Sequence, residues 1–582
     1  MRCNRVKNRI HTLKKERAGL TFIRITLILA IISFSGCAGW DTNETGLVTD
    51  KAMVVTAHPL TSEVGAAILR RGGNAVDAAV AVQFALAVVY PDAGNIGGGG
   101  FLVLRQQDGS VDALDYREKA PGNAHRDMYL DAQGNVITEL SFKGHLAAGV
   151  PGTVAGMVQL HQKYGSMPWA ELVQPAVELA AKGFPLTRKE AKKLNDERSD
   201  FIKYNTQRPA FILQDRWREG DTLRLRELAY TLARIRDQGR AGFYEGETAA
   251  RIVAEMERGG GIISKEDLAA YRPVWREPLR GQVGDYQVIS MPPPSSGGIA
   301  LLQLLNIAQN YPLEDWGWNA ARTAHLMVEA ERRVYADRAR HVGDPDYYDV
   351  PVAGLLDTAY IRSRMRDVSL DRATDSDAVA AGAPAPPESP NTTHYSIVDP
   401  EGNAISVTTT LNSSFGSKVF VGGAGFLLNN EMDDFSVKPG HPNSYGLVGG
   451  EANAIAPDKR MLSSMTPTIL EKNGQLHLII GSMGGSTIIT TVYQIILNVT
   501  VHNMPMQGAV NAGRFHHQWK PDWILCEWGA LGFGTGLKMW WRGHRIAPKS
   551  GGIGRAAGIL VRPDGRLEGG ADPRGDDAAA GF

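Results

Sequence analysis

Two β-branched runs, Thr392 to Asp399 and Ala404 to Asn412, flank Pro400-Glu401-Gly402-Asn403, whose residue types suit a tight reversal. The pattern predicts a β-hairpin. Closed symmetrically, a four-residue loop sets Asp399 opposite Ala404 and Thr392 opposite Leu411, beside Thr410 and Asn412. Along the second strand Ala404, Ser406, Thr408, Thr410 and Asn412 fall on one face, and Ile405, Val407, Thr409 and Leu411 on the other. One face is hydroxyl-rich and the other apolar. Upstream, Met53 to Ala57 reads as a buried strand, and Leu60 to Arg71 has helical spacing that stops at Gly72-Gly73. Asn74 can cap a second helix, Ala75 to Val89, which is apolar nearly all round and so needs cover on several sides. That argues for a large layered core. Residues 149 to 236 read as mainly helical, 291–305 as a rigid extended turn entering a helix, and Leu478-Ile479-Ile480 as a buried strand running into Gly481 to Ser486 and a further helix. The stretch 371–391, rich in Ala, Pro, Asp and Ser and without period, predicts a mobile loop.

Charge and cysteine content narrow the function. Lys plus Arg and Asp plus Glu each number 62 in 582 residues, so no global field favours nucleic acid, and small-molecule chemistry is the default. Three cysteines, Cys3, Cys37 and Cys526, exclude a disulfide framework and a cysteine-based zinc site. At the N-terminus, basic residues from Arg2 to Arg17 precede an apolar run, Leu27 to Phe34, that ends in Ser35-Gly36-Cys37. Residues 1–36 read as an export signal, because the run is shorter than the roughly 20 residues of a spanning helix. Phe34-Ser35-Gly36-Cys37 resembles a bacterial lipobox, which makes Cys37 the expected lipidation site, with plain periplasmic secretion as the alternative. Residues 37–50 then form a polar tether.

Several segments have chemistry to weigh. Gly94 to Leu104 is glycine-rich, but its glycines precede a strand and no Gly-Lys-Ser/Thr follows, so tight backbone packing is favoured over nucleotide binding. Arg117 has the fork that holds a carboxylate, and Leu427 to Phe435 packs three carboxylates into a short span. His516 and His517 lack a third ligand at recognisable spacing for zinc. The segment 523–557 is rich in Trp and Gly, without an evident reason in the sequence. A threonine in a hairpin is usually only structural. It becomes a nucleophile when the chain is cut before it, because a free α-amine, with a pKa of about 7.7 to 8, can take the hydroxyl proton.

TTHYSIVDPEGNAISVTTTLNSSFG, residues 392–416, resembles the signature of the γ-glutamyltransferase family of N-terminal-nucleophile hydrolases, with Ile405 where Val is more usual. The resemblance extends from about residue 51 to the C-terminus and implies a four-layer αββα sandwich of the α+β class, with no cofactor and no metal. It implies self-cleavage at Asn391-Thr392, leaving a heterodimer of a large part, 51–391, and a small part, 392–582. Thr392 would then attack the γ-glutamyl amide of glutathione or a related donor and pass the acyl group to water, an amino acid or a dipeptide. By the same resemblance Thr410 positions the nucleophile and the Gly484 and Gly485 amides hold the oxyanion. Arg117, Ser463 and Ser464 hold the α-carboxylate, while Glu431, Asp434 and Asn412 hold the α-ammonium. Tyr445 belongs to a lid over the pocket. Met483 stands where the family commonly has Pro. Two alternatives are an acylase for a glutaryl side chain of a β-lactam and an uncut, silent lipoprotein that binds γ-glutamyl compounds.

Overall fold

Helices Pro59–Arg70 (α1) and Ala75–Val89 (α2) form where the spacing predicts them. Asn74 Oδ1 accepts from the Asp77 N–H at 2.9 Å and Asp77 Oδ2 accepts from the Asn74 N–H at 3.0 Å, a reciprocal cap that fixes the start of α2. Every residue of α2 is buried. What covers it becomes clear from the strands. The computed structural model describes residues 40–382, 393–441 and 450–582, and Thr42–Phe582 forms one compact unit.

Fourteen strands make two large sheets among the described residues. In chain order they are Leu47–Thr49 (β1), Met53–Thr56 (β2), Gly99–Arg105 (β3), Val111–Asp115 (β4), Val274–Arg276 (β5), Leu279–Val283 (β6), Tyr286–Ser290 (β7), Thr393–Val398 (β8), Ala404–Thr410 (β9), Thr468–Lys472 (β10), Gln475–Met483 (β11), Arg555–Val561 (β12), Leu567–Ala571 (β13) and Ala578–Gly581 (β14). One sheet runs β1-β13-β12-β11-β10-β7-β6 and the other β14-β2-β8-β9-β3-β4-β5. Neighbours in both are antiparallel, so side chains alternate cleanly between faces. Met53, Val55, Phe101, Ile289, Ile469, Ile479 and Ile559 meet between the sheets. The outer face of the second sheet packs with α2. That of the first packs with Gly297–Ala308 (α3), Ala321–His341 (α4) and Thr487–Thr500 (α5). The result is the expected four-layer αββα sandwich.

The hairpin β8–β9 lies in the middle of its sheet. Tyr395, Ile397, Ile405, Val407 and Leu411 pack in the same core as α2. The hydroxyl face turns toward the other sheet, where Ser406 Oγ donates to Ile480 O at 3.2 Å and Ser396 Oγ to Ala557 O at 3.1 Å. The register differs from the expected one by a residue: Val398 pairs with Ala404 and Thr393 with Thr409. The cause is the turn. Asp399 Oδ1 accepts the N–H of Glu401 at 3.0 Å and of Asn403 at 2.9 Å, and the Asp399 N–H donates to Asn403 O at 3.1 Å, so the loop closes on three residues instead of four.

Two further expectations are corrected. The tether does not run to residue 50, because β1 pairs with Leu567–Gly569 and Glu44 Oε2 accepts from Asn511 Nδ2 at 2.6 Å. The loop 371–391 is tied down over its first part. Buried acids of α4 grip it: Glu329 Oε1 accepts the Thr374 N–H at 3.0 Å, and Asp337 Oδ1 the Gly382 N–H at 2.7 Å. Residues 383–392 lie outside the described residues. Both sheets interleave strands from before and after position 391.

Candidate active site

The glycine run at the head of β3 is there for close packing. Thr410 pairs with Gly99, and a Cβ on Gly98 would collide with the Thr410 carbonyl. Asn95 Nδ2 donates to that carbonyl at 2.7 Å. Thr410 is therefore held from its backbone, with its hydroxyl on the face between the sheets. Its Oγ1 accepts the Asn412 N–H at 2.6 Å. Asn412 has φ +70°, a conformation that asparagine tolerates better than most residues, and this turns the chain sharply after β9. Its Nδ2 donates to Asn430 O at 2.9 Å, while its buried Oδ1 has no partner among the described residues.

Beside it, residues Glu431–Asp434 form one 3₁₀ turn, whose three-residue period places Glu431 and Asp434 on the same side. Both face Arg117. Its guanidinium lies 2.6 Å from Glu431 Oε2, pairs with Asp434 Oδ2, and reaches Leu462 O at 3.1 Å and Met461 O at 3.3 Å. The Thr410 hydroxyl, nearby, pulls the Glu431 carboxyl down. A third carboxylate, Glu118, lies 3.4 Å from the same guanidinium. All four of these charged side chains are buried. Burial pushes the Glu118 and Glu431 carboxyls each up to about 8 against the pull of Arg117, and pushes Asp434 up as well.

These shifts have a measurable consequence. Between the ordinary carboxyl pKa of 4.5 and about 8 the folded cluster holds protons that the unfolded chain has released. Unfolding therefore releases protons, and stability falls as pH rises through that window. In Glu118→Gln, which cannot ionise, the melting temperature of the unliganded protein is expected to depend less on pH between 5 and 8. A slope identical to wild type would mean that Glu118 ionises normally.

Ser463 and Ser464 follow directly on the Arg117 acceptors Met461 and Leu462. Ser464 Oγ accepts from Arg338 at 2.6 Å, and Arg338 also donates to Ser296 Oγ at 2.9 Å. Ser463 is fixed through its backbone, with its N–H donating to Pro294 O at 2.9 Å. Gly484 and Gly485 sit on a separate turn between β11 and α5, with φ +128° and +73°. Neither N–H donates a hydrogen bond among the described residues. Met483 does not loosen the turn, since it is the last paired residue of β11, opposite Arg555, and Gly484 O accepts from Thr487 Oγ1 at 2.6 Å. Upstream in β11, Gly481 packs against the His394 imidazole, next in sequence to Thr393.

The structure thus brings Arg117, Thr410, Asn412, Glu431 and Asp434 into one contact group, with Ser463 and Ser464 beside it. Asn391, Thr392, Tyr445 and Cys37 lie outside the described residues. Glu118 and Arg338 were missed by sequence reasoning. The only signal for Glu118 is its adjacency to Arg117, and nothing in the local sequence marks Arg338.

The histidines are occupied as hydrogen-bonding groups. His516 bonds Thr490 Oγ1 at 2.9 Å and Gln518 Oε1 at 3.0 Å, and His517 bonds Asp522 at 3.0 Å. His325, Glu329 and His544 bring ligand-type atoms within 4.8 Å of one another. However, the two imidazoles hydrogen-bond each other at 2.7 Å, and Glu329 already accepts from Arg333 at 2.7 Å and from Thr374 Oγ1 at 2.6 Å. The trio reads as a buried network closing α4.

Comparison with known proteins places this geometry. Residues 61–582 match the family model described as gamma-glutamyltranspeptidase. A glutathione hydrolase proenzyme of Escherichia coli (strain K12) is 47% identical over 539 residues, covering 91% of this chain and 92% of that protein. Among solved structures, a cephalosporin acylase from Bacillus halodurans superposes with a TM-score of 0.83 at 29% identity, covering 93% of this chain and 97% of its own. The gamma-glutamyltranspeptidase of Helicobacter pylori is 44% identical with a TM-score of 0.56, covering 58% of this chain and 97% of that chain. The match across nearly the whole folded part, together with the buried charged site, establishes that the chain belongs to the gamma-glutamyltranspeptidase family.

Proposed function

We propose that the protein is a γ-glutamyltransferase and glutathione hydrolase that matures by cutting its own chain before Thr392. The observation that carries this reading is the set of charges beside Thr410. A guanidinium, two carboxyls and Asn412 Oδ1, which has no partner among the described residues, gather in a buried site. The α-carbon end of a γ-glutamyl donor carries a carboxylate and an ammonium, and burying such a zwitterion requires partners of both signs. A glutaryl acyl group has no ammonium, so Glu431 and Asp434 argue against the acylase alternative.

In maturation, the Thr392 hydroxyl attacks the Asn391 carbonyl, the Asn391–Thr392 amide bond breaks, and water opens the resulting ester. The freed Thr392 α-amine then serves as base. The pairing of Thr393 with Thr409, next to Thr410 in the ladder, supports a role for the Thr410 hydroxyl in polarising that of Thr392. In turnover, Thr392 Oγ attacks the donor's γ-carbonyl while the Gly484 and Gly485 amides take the oxyanion. The amine leaves with a proton, and the γ-glutamyl ester passes to water or to an amino acid or dipeptide. Ser463, Ser464 and Arg117 hold the α-carboxylate, and the lid containing Tyr445 closes the pocket. The two parts of the cut chain stay together as a heterodimer. The export-type N-terminus puts the protein in the periplasm, with Cys37 as the lipid anchor. Among the described residues no helix is long and apolar enough to cross a membrane.

Intact-mass and N-terminal analysis of the protein freed of residues 1–37, held at neutral pH, tests this. A fragment beginning at Thr392 and release of γ-glutamyl from glutathione are expected. A single uncut chain without turnover would favour the silent binding protein.

A further inference from the structure

The Trp- and Gly-rich segment has a definite structural form. Phe533–Trp541 is a helix (α6) packed inward through Met539, which is fully buried in the core beneath the first sheet. Phe533, Leu537, Trp540 and Trp541 recur at i, i+4, i+7 and i+8, the spacing of one helical stripe. That stripe faces outward. Phe533 is 70%, Trp540 65% and Trp541 73% exposed, and Trp528 on the preceding turn is 73% exposed. Helices on globular proteins normally turn such a stripe inward. The reversed orientation leaves an apolar surface that no other described residue covers.

The charges around it have one sign. Between 523 and 549 the exposed charged residues are Lys538, Arg545 and Lys549. The only acid in that span, Glu527, is buried and held by Arg574 at 2.6 Å. The neighbouring stretch 366–377 adds no net field: Asp367 pairs with Arg333 and Asp377 with Lys520, leaving Arg366 and Arg372 against Asp371 and Asp375.

We propose that this face docks on an anionic phospholipid bilayer. Tryptophan is the side chain that settles at the level of lipid headgroups, because its ring is apolar and its N–H is polar. Flanking lysines and arginines add attraction to anionic lipid. The area also fits. At about 150–250 Å² per large apolar side chain, five side chains at these exposures offer roughly 600 Å², short of the roughly 800 Å² a side of a standard protein interface. Inserting a few rings into a headgroup layer requires no more.

The test uses the protein freed of residues 1–37, which retains the whole compact unit. It is sedimented with vesicles of phosphatidylglycerol and phosphatidylethanolamine, or of phosphatidylcholine alone. Wild type is expected to pellet with the anionic vesicles and to shift its tryptophan emission to the blue. The double variant Trp540→Ser/Trp541→Ser is expected to partition at least ten-fold less while releasing γ-glutamyl from glutathione at the wild-type rate in solution. Equal pelleting of wild type and variant, or none of either, would overturn the proposal. So would a concentration-dependent dimer in light scattering that the double variant abolishes, since the stripe would then serve a second copy. Equal binding to phosphatidylcholine would overturn the anionic part of it.

Discussion

A Thr392→Ala protein is expected to remain a single uncut chain and to release no γ-glutamyl from glutathione above background. Removing the hydroxyl takes away both the group that attacks Asn391 and the group that attacks the donor. Loss of a hydroxyl nucleophile in other enzymes costs up to about 10⁶ in kcat, and here it would also block the step that creates the α-amine base. Thr392→Ser gives the contrast that distinguishes chemistry from misfolding. It keeps an oxygen at the same place and should cut more slowly and retain partial turnover. Intact mass and glutathione turnover of the two variants, side by side with their melting temperatures, decide the matter. Cleavage at the usual bond in Thr392→Ala would remove Thr392 from the mechanism.

The second large effect is expected at Arg117. In Arg117→Met the guanidinium that touches Glu431, Asp434 and Glu118 is gone, while three buried carboxyls remain. Breaking a buried ion pair from one side costs about 3 to 5 kcal/mol. The carboxyls answer by holding their protons more tightly, so the loss grows as pH rises and is smallest under acid conditions. The variant should therefore denature at lower urea than wild type, with a nearly constant gap between pH 5 and 7 that widens as pH rises through about 8. If Arg117 also grips the donor's α-carboxylate, KM for glutathione rises. One charge-assisted hydrogen bond, about 1.5 to 3 kcal/mol, corresponds to roughly a 10- to 150-fold change. Arg117→Lys keeps the charge without the fork and should fall between. An unchanged KM in a folded Arg117→Met protein would leave the arginine a purely structural role.

The sequence made the hairpin visible because β-branched residues and a Pro-Glu-Gly-Asn turn are local signals. It did not set the register, because that depended on Asp399 spending its side chain on two backbone N–H groups of the turn. β1 escaped notice for a related reason: three residues without alternation become a strand only through Leu567–Gly569, more than five hundred residues away in sequence. Helix α4 offers no local clue of this kind: Arg332, Arg333 and Arg338 are all buried, each with acceptors brought by other segments. Arg117, Asn412, Glu431 and Asp434 were reached through resemblance, and the contact between them is something only the fold supplies. Glu118 had no such guide.

The interleaving of the sheets has a consequence for the history of each molecule. Strand β2 sits between β14 and β8, and β3 beside β9, so in that sheet segments from either side of position 391 alternate as neighbours. While the chain is continuous, one sequence brings all of them together at a fixed effective concentration. Once it is cut, the same arrangement would have to be found by two separate polypeptides, each with bare strand edges that invite the wrong partner. Assembly therefore has to come before cutting. On the proposed cut, the working enzyme keeps a topology that its pieces no longer encode as a single chain, so a molecule that unravels after maturation has lost its route back.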